Sequence, residues 1–312
     1  MGDGKEPVRT ILIAGPTASG KSALALALAE RLGAEVINAD SMQVYAALPL
    51  LTAQPSPSDL GRAPHRLYGI RPPDDPCSAA RWAVLARAAI ADAHAAGRVA
   101  LLVGGTGLYF RALVEGLAEI PEVPADVRAE VTARHAHLGG EAFRAELALH
   151  DPRLAERLAP GDTQRLIRGF EVFLATGRPL SDWQGAGRAG ALDVPWRGLV
   201  MAPPNEVLRA RFLPRLKQMV EAGLVAEVQG YLASYPDALL PLSRAVGTAP
   251  LRRHLAGEIG LVEALGLAEI DTRHYAKRQL TWARKHMIGW FWPPFAQQME
   301  SLAAESLAFI QN

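Results

Sequence analysis

Thr10-Ile11-Leu12-Ile13-Ala14-Gly15-Pro16-Thr17-Ala18-Ser19-Gly20-Lys21-Ser22 is the stretch on which the fold turns. Its first five residues form a short apolar run of the kind buried in a parallel sheet. The next eight fit G-x-x-x-x-G-K-[ST] at every fixed position, with a strand pattern before them and a helix pattern after. In such a P-loop the glycines let successive backbone N–H groups turn inward around phosphate oxygens. The dipole of the following helix adds to the attraction. Lys21 supplies a full positive charge, and the Ser22 hydroxyl can hold Mg²⁺. Gly15, Pro16, Thr17, Ala18, Ser19, Gly20, Lys21 and Ser22 are therefore the expected phosphate-binding set.

Working outward, Lys21 to about Leu32 is rich in Ala and Leu and reads as a helix closed by Gly33. Ala34–Ala39 reads as a second strand that delivers Asp40-Ser41 at its C-terminal end. Leu48–Pro76 is rich in Pro, Ser and Asp and reads as a long surface loop with short pieces of structure. Ser78–Ala96 is a helix closed by Gly97, and Arg98–Val103 is a third strand ended by Gly104-Gly105-Thr106-Gly107. Strands alternating with helices predict an α/β fold, a P-loop NTPase-like parallel sheet flanked by helices. After Glu119–Pro124 the strand pattern stops, and several helices follow to about residue 180, punctuated by Gly and Pro pairs. This predicts a helical insertion at 121–193, with Ser181–Asp193 as its linker, inside a core made of 1–120 and 194–312. Trp196–Met201 returns as a strand, and the tail after Trp292-Pro293-Pro294 reads as one amphipathic helix.

Composition narrows the setting. With 312 residues, 49% hydrophobic and 21% charged, the chain can bury one large core and an insertion. The single cysteine, Cys77, cannot form an internal disulfide, which suits a reducing cytosol. His135 and His137 have no partner at ligand spacing, so no structural metal is expected. No run approaches the roughly 20 apolar residues of a membrane span, and the start lacks a signal-peptide core. A cytoplasmic protein with no membrane partner is expected, and a monomer. A net charge of +1 means that any RNA-binding charge must be concentrated locally.

In a parallel sheet all strand C-termini share one edge, and ligands bind in the crevice there. The P-loop, Asp40 and Thr106 each follow a strand end, so they can converge on one pocket. Asp40 there reads first as a Mg²⁺-orienting group or general base, with the N-cap of a following helix as the alternative. Gly105-Thr106-Gly107 fails as a dinucleotide fingerprint, because Phe110 stands where the third glycine belongs. Arg165 and Arg168 share a helix face in Gln164–Arg168. Arg273, Lys277 and Arg284 form one stripe, with Arg278 and Lys285 beside it; Tyr275, Gln279, Trp282 and His286 form another. Cations beside aromatics suit RNA, but from the residues alone a solvated face beside a core face is the favoured reading.

The sequence resembles one family. Gly15–Ser22, Asn38-Ala39-Asp40-Ser41-Met42-Gln43-Val44-Tyr45, Pro64-His65-Arg66-Leu67 and Val103–Tyr109 match motifs of the bacterial tRNA dimethylallyltransferases. So do Asp162-Thr163-Gln164-Arg165, Arg211-x-x-x-Arg215-x-x-x-Met219-x-x-x-Gly223 and Ala276-Lys277-Arg278-Gln279-Leu280-Thr281-Trp282, over about residues 10–292. The resemblance implies transfer of a dimethylallyl group from its diphosphate to N6 of adenosine 37 in tRNA. It implies Asp40 as the base, and Thr106, Arg215 and Mg²⁺ on the leaving diphosphate. The P-loop then grips a diphosphate rather than ATP, and the adenine must be extruded from its stack. The implied tRNA contacts are Asp40, Ser41, Met42, Gln43, Thr106, Arg128, Gln164, Arg165, Leu166, Ile167 and Arg168, with the insertion clamping the anticodon stem–loop. Two departures stand out: Gln54 where many members have Lys, and Gly247-Thr248-Ala249 where the family has Gly-Tyr-[Arg/Lys]. From motifs alone, two other classes share these features. A small-molecule P-loop kinase would bind ATP under a helical lid. An RNA-binding nucleotide switch would need no catalytic geometry at Asp40 and Thr106.

Overall fold

The computed structural model describes residues 8–236, 240–295 and 298–311. The chain divides into two compact units, Met1–Leu113 with Asp193–Asn312, and Val114–Leu192.

The first unit is built on a five-stranded parallel sheet. Its strands are β1 (Thr10–Ala14), β2 (Ala34–Asn38), β3 (His65–Arg66), β4 (Val99–Gly104) and β5 (Trp196–Val200), in the order β3-β2-β4-β1-β5. β1 lies between β4 and β5, paired with β4 from Thr10↔Ala100 to Ala14↔Gly104 and with β5 from Thr10↔Trp196 to Ala14↔Val200. All five β1 residues are buried, which is why the run reads as unbroken hydrophobicity rather than alternation. Helix α1 (Lys21–Leu32) starts after Gly20, whose φ of 93° suits only glycine, and stops at Gly33. Leu24, Leu28, Ile11, Val36, Leu101 and Leu199 meet in one apolar cluster, which the tail helix closes with Leu302, Ala303 and Ile310.

Leu48–Pro76 holds two short helices, α2 (Pro49–Thr52) and α3 (Pro57–Arg62), and the edge strand β3. α4 (Ala79–Ala95) is capped by the Ser78 hydroxyl, which accepts the Arg81 N–H. α5 (Gly107–Val114) leads out of β4.

The second unit packs α6 (Ala125–Ala148), α7 (Pro152–Arg157), α8 (Thr163–Thr176) and α9 (Leu180–Gly185) around Val131, Phe143, Leu147, Leu166 and Phe170. Gly139 breaks α6. The expected linker Ser181–Asp193 is only partly one: residues 181–185 belong to α9, while 186–193 are irregular and mostly exposed. Leu180 and Ser181 are buried, and the buried carboxylate of Asp151 caps α7 through the Leu154 N–H while accepting the Ser181 N–H at 2.9 Å. Ala189 pairs antiparallel with Leu117. Gly, Gln and Ala in this stretch look loop-like. The partners that order it lie 30 to about 70 residues away, beyond any local pattern.

Back in the first unit follow α10 (Asn205–Glu221), α11 (Leu224–Ser234), α12 (Thr248–Leu255), α13 (Leu261–His286) and α14 (Met299–Gln311). Among the described residues no helix is long and apolar enough to cross a membrane.

Gly104 is where the strand ends approach most closely. A Cβ there would lie 2.0 Å from the Ala39 carbonyl oxygen and 2.7 Å from the Asp40 nitrogen, both backbone atoms. Gly104→Ala is therefore expected to destabilise the fold by about 1–3 kcal/mol, as overpacking does. A guanidinium unfolding midpoint unchanged from wild type would show that the backbone at Asp40 gives way freely.

Candidate active site

At the C-terminal edge of the sheet the P-loop, Asp40 and Arg215 line one cavity of about 620 Å³. Ala18 is held at φ 61°, an uncommon conformation for a residue with a Cβ. Arg211 on α10 donates to the Ala18 and Ser19 carbonyls at 3.1 and 3.3 Å. Arg211 thereby braces the loop from its carbonyl side, while within the loop the Ser19 N–H donates to the Pro16 carbonyl at 3.2 Å. Lys21 is half-buried at the base of the cavity, its Nζ 3.3 Å from the Pro16 carbonyl. Burial lowers its pKa from 10.5 to about 8; the Asp40 carboxylate works against that shift and Arg215 adds to it. Burial likewise lowers the pKa of Arg215 from its ordinary value. Two cations with poor access to water face one carboxylate, so the cavity is arranged to receive added negative charge.

Asp40 is fixed by its neighbours on β2. The buried Asn38 side chain accepts the Asp40 N–H at 2.8 Å and donates to the Asp40 carbonyl at 3.0 Å and the Leu67 carbonyl at 3.1 Å. No helix follows Asp40, which removes the N-cap reading. Residues 41–44 form turns, and Asp40 Oδ1 accepts the Met42 N–H at 3.0 Å. That Asx turn occupies one carboxylate oxygen and aims the group into the cavity. Thr106 is tied to the same turn. Its Oγ1 accepts the Ser41 N–H at 2.9 Å and donates to Ser41 Oγ at 3.2 Å, and the Tyr275 phenol also hydrogen-bonds to it. Burial and the nearby Asp40 charge raise the Tyr275 pKa, so this phenol stays protonated. Both amide protons of Gln43 go to the Thr52 and Ala53 carbonyls, at 2.9 and 2.8 Å. Only its Oε1 is left for a substrate.

Opposite the charged groups, Leu51, Leu216, Met219 and Val246 give the cavity an apolar wall. Ser22 and Asp40 are hard oxygen donors in its lining, alongside Thr17, Ser41 and Asp59. Among the described residues no cluster of three or more His, Cys, Asp or Glu could hold a metal alone. A divalent cation would complete its shell with substrate oxygens and water, which is how Mg²⁺ binds at phosphate sites. The donor set fits such an ion.

A family model described as IPP transferase matches residues 43–286, and one described as isopentenyl transferase matches 8–71. A tRNA dimethylallyltransferase of Phenylobacterium zucineum is 53% identical over 282 residues, covering 90% of this chain and 91% of that protein. One of Parvibaculum lavamentivorans is 50% identical over 98% of both chains. This chain belongs to the tRNA dimethylallyltransferase family.

Solved structures agree with that placement. The tRNA isopentenylpyrophosphate transferase of Bacillus halodurans superposes with a TM-score of 0.66 at 32% identity, covering 98% of this chain and 97% of that one. A eukaryotic dimethylallyltransferase acting on tRNA superposes with a TM-score of 0.77 at 25% identity, over 90% of this chain and 71% of that one. The chain is thus a prenyltransferase. Where many tRNA dimethylallyltransferases carry a lysine, Gln54 donates to the Tyr45 carbonyl at 2.7 Å and braces the turn before the cavity. At the second departure Thr248 is fully buried at the start of α12, its Oγ1 without a partner among the described residues.

The helical unit sorts its own candidates. Gln164 and Arg165 are exposed, Arg165 lying 3.8 Å from Asp162. Arg168 and Arg128 converge on the buried carboxylate of Glu171, at 2.8 and 3.4 Å. Leu166 is fully buried in the unit's core and Ile167 packs against it. The Leu166 side chain anchors α8 and presents nothing to RNA, which corrects its expected contact role, whereas Ile167 is only partly buried. A five-residue motif on a helix necessarily turns some members inward.

Two residues working at the site went unassigned in the sequence. Asn38 and Arg211 sit inside recognised motifs, but only geometry shows their bonds to Asp40 and the P-loop. The stripe Tyr275, Gln279, Trp282 faces the sheet edge, whereas Arg273, Lys277 and Arg284 line a separate cavity of about 510 Å³ with Asn205 and Arg209 of α10.

Proposed function

We propose that this enzyme transfers a dimethylallyl group from dimethylallyl diphosphate to N6 of adenosine 37 in tRNA. The observation that carries this reading is the single cavity in which a P-loop, a carboxylate on an Asx turn and a half-buried arginine meet an apolar wall. The P-loop amides, Lys21 and Arg215 hold the diphosphate. Leu51, Leu216, Met219 and Val246 are the right chemistry for the five-carbon chain. Mg²⁺, held by Ser22 and by Asp40 through water, would neutralise charge on the leaving diphosphate.

An exocyclic adenine amine is a weak nucleophile. As the bond from N6 to the allylic carbon forms, the bond from that carbon to the diphosphate oxygen breaks, and the N6 proton passes to Asp40. Thr106 and Arg215 stabilise the charge that develops on the departing oxygen. The base must leave its stack to reach Asp40. Incubation with dimethylallyl diphosphate, Mg²⁺ and unmodified tRNA, followed by nucleoside mass analysis, tests the reading. A product lacking the prenyl group on adenosine 37 overturns it. ATP should compete poorly with the donor; micromolar ATP binding with phosphate release would favour a kinase instead.

The helical unit contributes an exposed basic face for the anticodon stem–loop. If Arg165 and Arg168 contact phosphates, log K should fall with log salt, and each lost contact should reduce the slope by about 0.7–0.9. Arg165→Ala with Arg168→Ala is expected to weaken stem–loop binding at 100 mM salt while leaving donor binding unchanged, since the donor loop belongs to the other unit. Titration calorimetry at several salt concentrations measures both. An unchanged slope returns these arginines to a solvated face.

A further inference from the structure

We infer that Gln279 is a positioning residue whose one amide locks the donor-phosphate loop and the Thr106 loop into register; the inference rests on the reading of the cavity given above. Gln279 is half-buried on α13. Its Oε1 accepts the Thr17 N–H at 2.9 Å, and its Nε2 donates to the Gly105 carbonyl at 2.9 Å. These groups belong to loops 262 and 174 residues away in sequence. The ladder between β1 and β4 ends at Ala14↔Gly104. Beyond that pair the sheet no longer fixes the P-loop against the segment carrying Thr106, and the Gln279 amide bridges them where the ladder stops.

The surroundings are cut to this contact. A Cβ at Gly105 would lie 2.1 Å from Gln279 Nε2, so the glycine leaves the space that the amide fills. One turn earlier Tyr275 hydrogen-bonds to Thr106. One turn later Trp282 packs so closely on Gly107 that a Cβ there would lie 2.1 Å from its ring. Tyr275, Gln279 and Trp282 follow i, i+4, i+7 spacing and form one face of α13. Packing alone would be served by an apolar side chain. An amide is needed because one end must accept an N–H and the other must donate to a carbonyl, and a buried amide missing either partner is penalised. The Thr17 N–H is thereby committed, so the donor's phosphates are left with amides nearer the start of α1.

The reaction needs the leaving oxygen, held by the P-loop, to meet Thr106 within hydrogen-bond distance. Displacements near 1 Å cost about 10²-fold in rate. Gln279→Met keeps the length and loses both bonds; Gln279→Asn keeps the amide and reaches only one loop. In the full-length chain with Mg²⁺, both variants are expected to lower kcat at saturating donor by about 10–10²-fold and to weaken inorganic diphosphate binding several-fold. Affinity for the anticodon stem–loop should stay within about twofold. Both variants retaining kcat and diphosphate affinity within about twofold would overturn the inference. So would a loss of RNA affinity with diphosphate binding intact, which would make Gln279 an RNA contact. A lowered melting temperature with unchanged kcat per folded molecule would reduce it to packing. Failure of the wild-type chain to transfer the group would strike the reading of the cavity itself, and this inference with it.

Discussion

Asp40→Asn is expected to lower single-turnover dimethylallyl transfer by about 10²–10⁴-fold while stem–loop affinity stays within a few-fold. That range is the usual loss when a general base is removed. The substitution isolates the charge. Asn retains an Oδ1 that can accept the Met42 N–H, so the Asx turn survives, and Asn38 continues to hold the backbone of residue 40 on both sides. What disappears is the oxygen able to take the N6 proton. One side effect has to be controlled. The Asp40 charge holds the Lys21 pKa up, so its removal lets that pKa fall below about 8. Rates should therefore be compared at about pH 6.5, on the acid side of the Lys21 transition. A variant keeping more than half the wild-type rate at that pH would take Asp40 out of the base role.

The middle of the sheet was legible because β1 and β4 announce themselves as unbroken apolar runs, whereas the two-residue edge strand β3, partly exposed, lay inside the stretch read as a surface loop. Lys21–Leu32 is read from the Ala/Leu run and its closing glycine, and the structure gives the same bounds. That the P-loop and Asp40 line one cavity followed from topology, since each leaves a parallel strand at the same end; Thr106 is not in that lining and meets it through its bonds to Ser41. What stayed hidden was held by contacts distant in sequence. Asp151 orders Ser181, Gln279 reaches Thr17 and Gly105, and Arg211 reaches Ala18. None of these changes the local hydrophobic period on which sequence reading depends. The stripe on α13 shows the same limit. Its spacing was visible, but whether Tyr275, Gln279 and Trp282 faced RNA or the sheet depended on glycines in another part of the chain. Leu166 failed for the opposite reason: a functional motif was taken whole, although a helix had to bury part of it.

Lys21→Ala is expected to raise the donor KM by about 10²-fold, the effect of removing one member of a desolvated charge pair worth roughly 3 kcal/mol. The pH dependence gives a sharper test. In the ligand-free protein Lys21 loses its proton near pH 8 rather than 10.5. A diphosphate binds the ammonium form and must restore the proton above pH 8, so wild-type donor affinity should fall by up to about tenfold per pH unit there. Stability of the empty protein moves the other way. Between pH 8 and 10.5 the unfolded chain holds a proton at Lys21 that the folded chain has released, so unfolding becomes less favourable as pH rises through that window. Lys21→Met should lose both limbs together: a donor KM high and flat with pH, and no Lys21-dependent gain in stability. Donor KM measured from about pH 7 to pH 10, with parallel melting curves for wild type and variant, separates this from a general alkaline effect. Both proteins would share a general effect, whereas only the wild type should show opposite trends in binding and stability. An alkaline rise in KM that persists in Lys21→Met would place the titrating group elsewhere and remove Lys21 from the diphosphate.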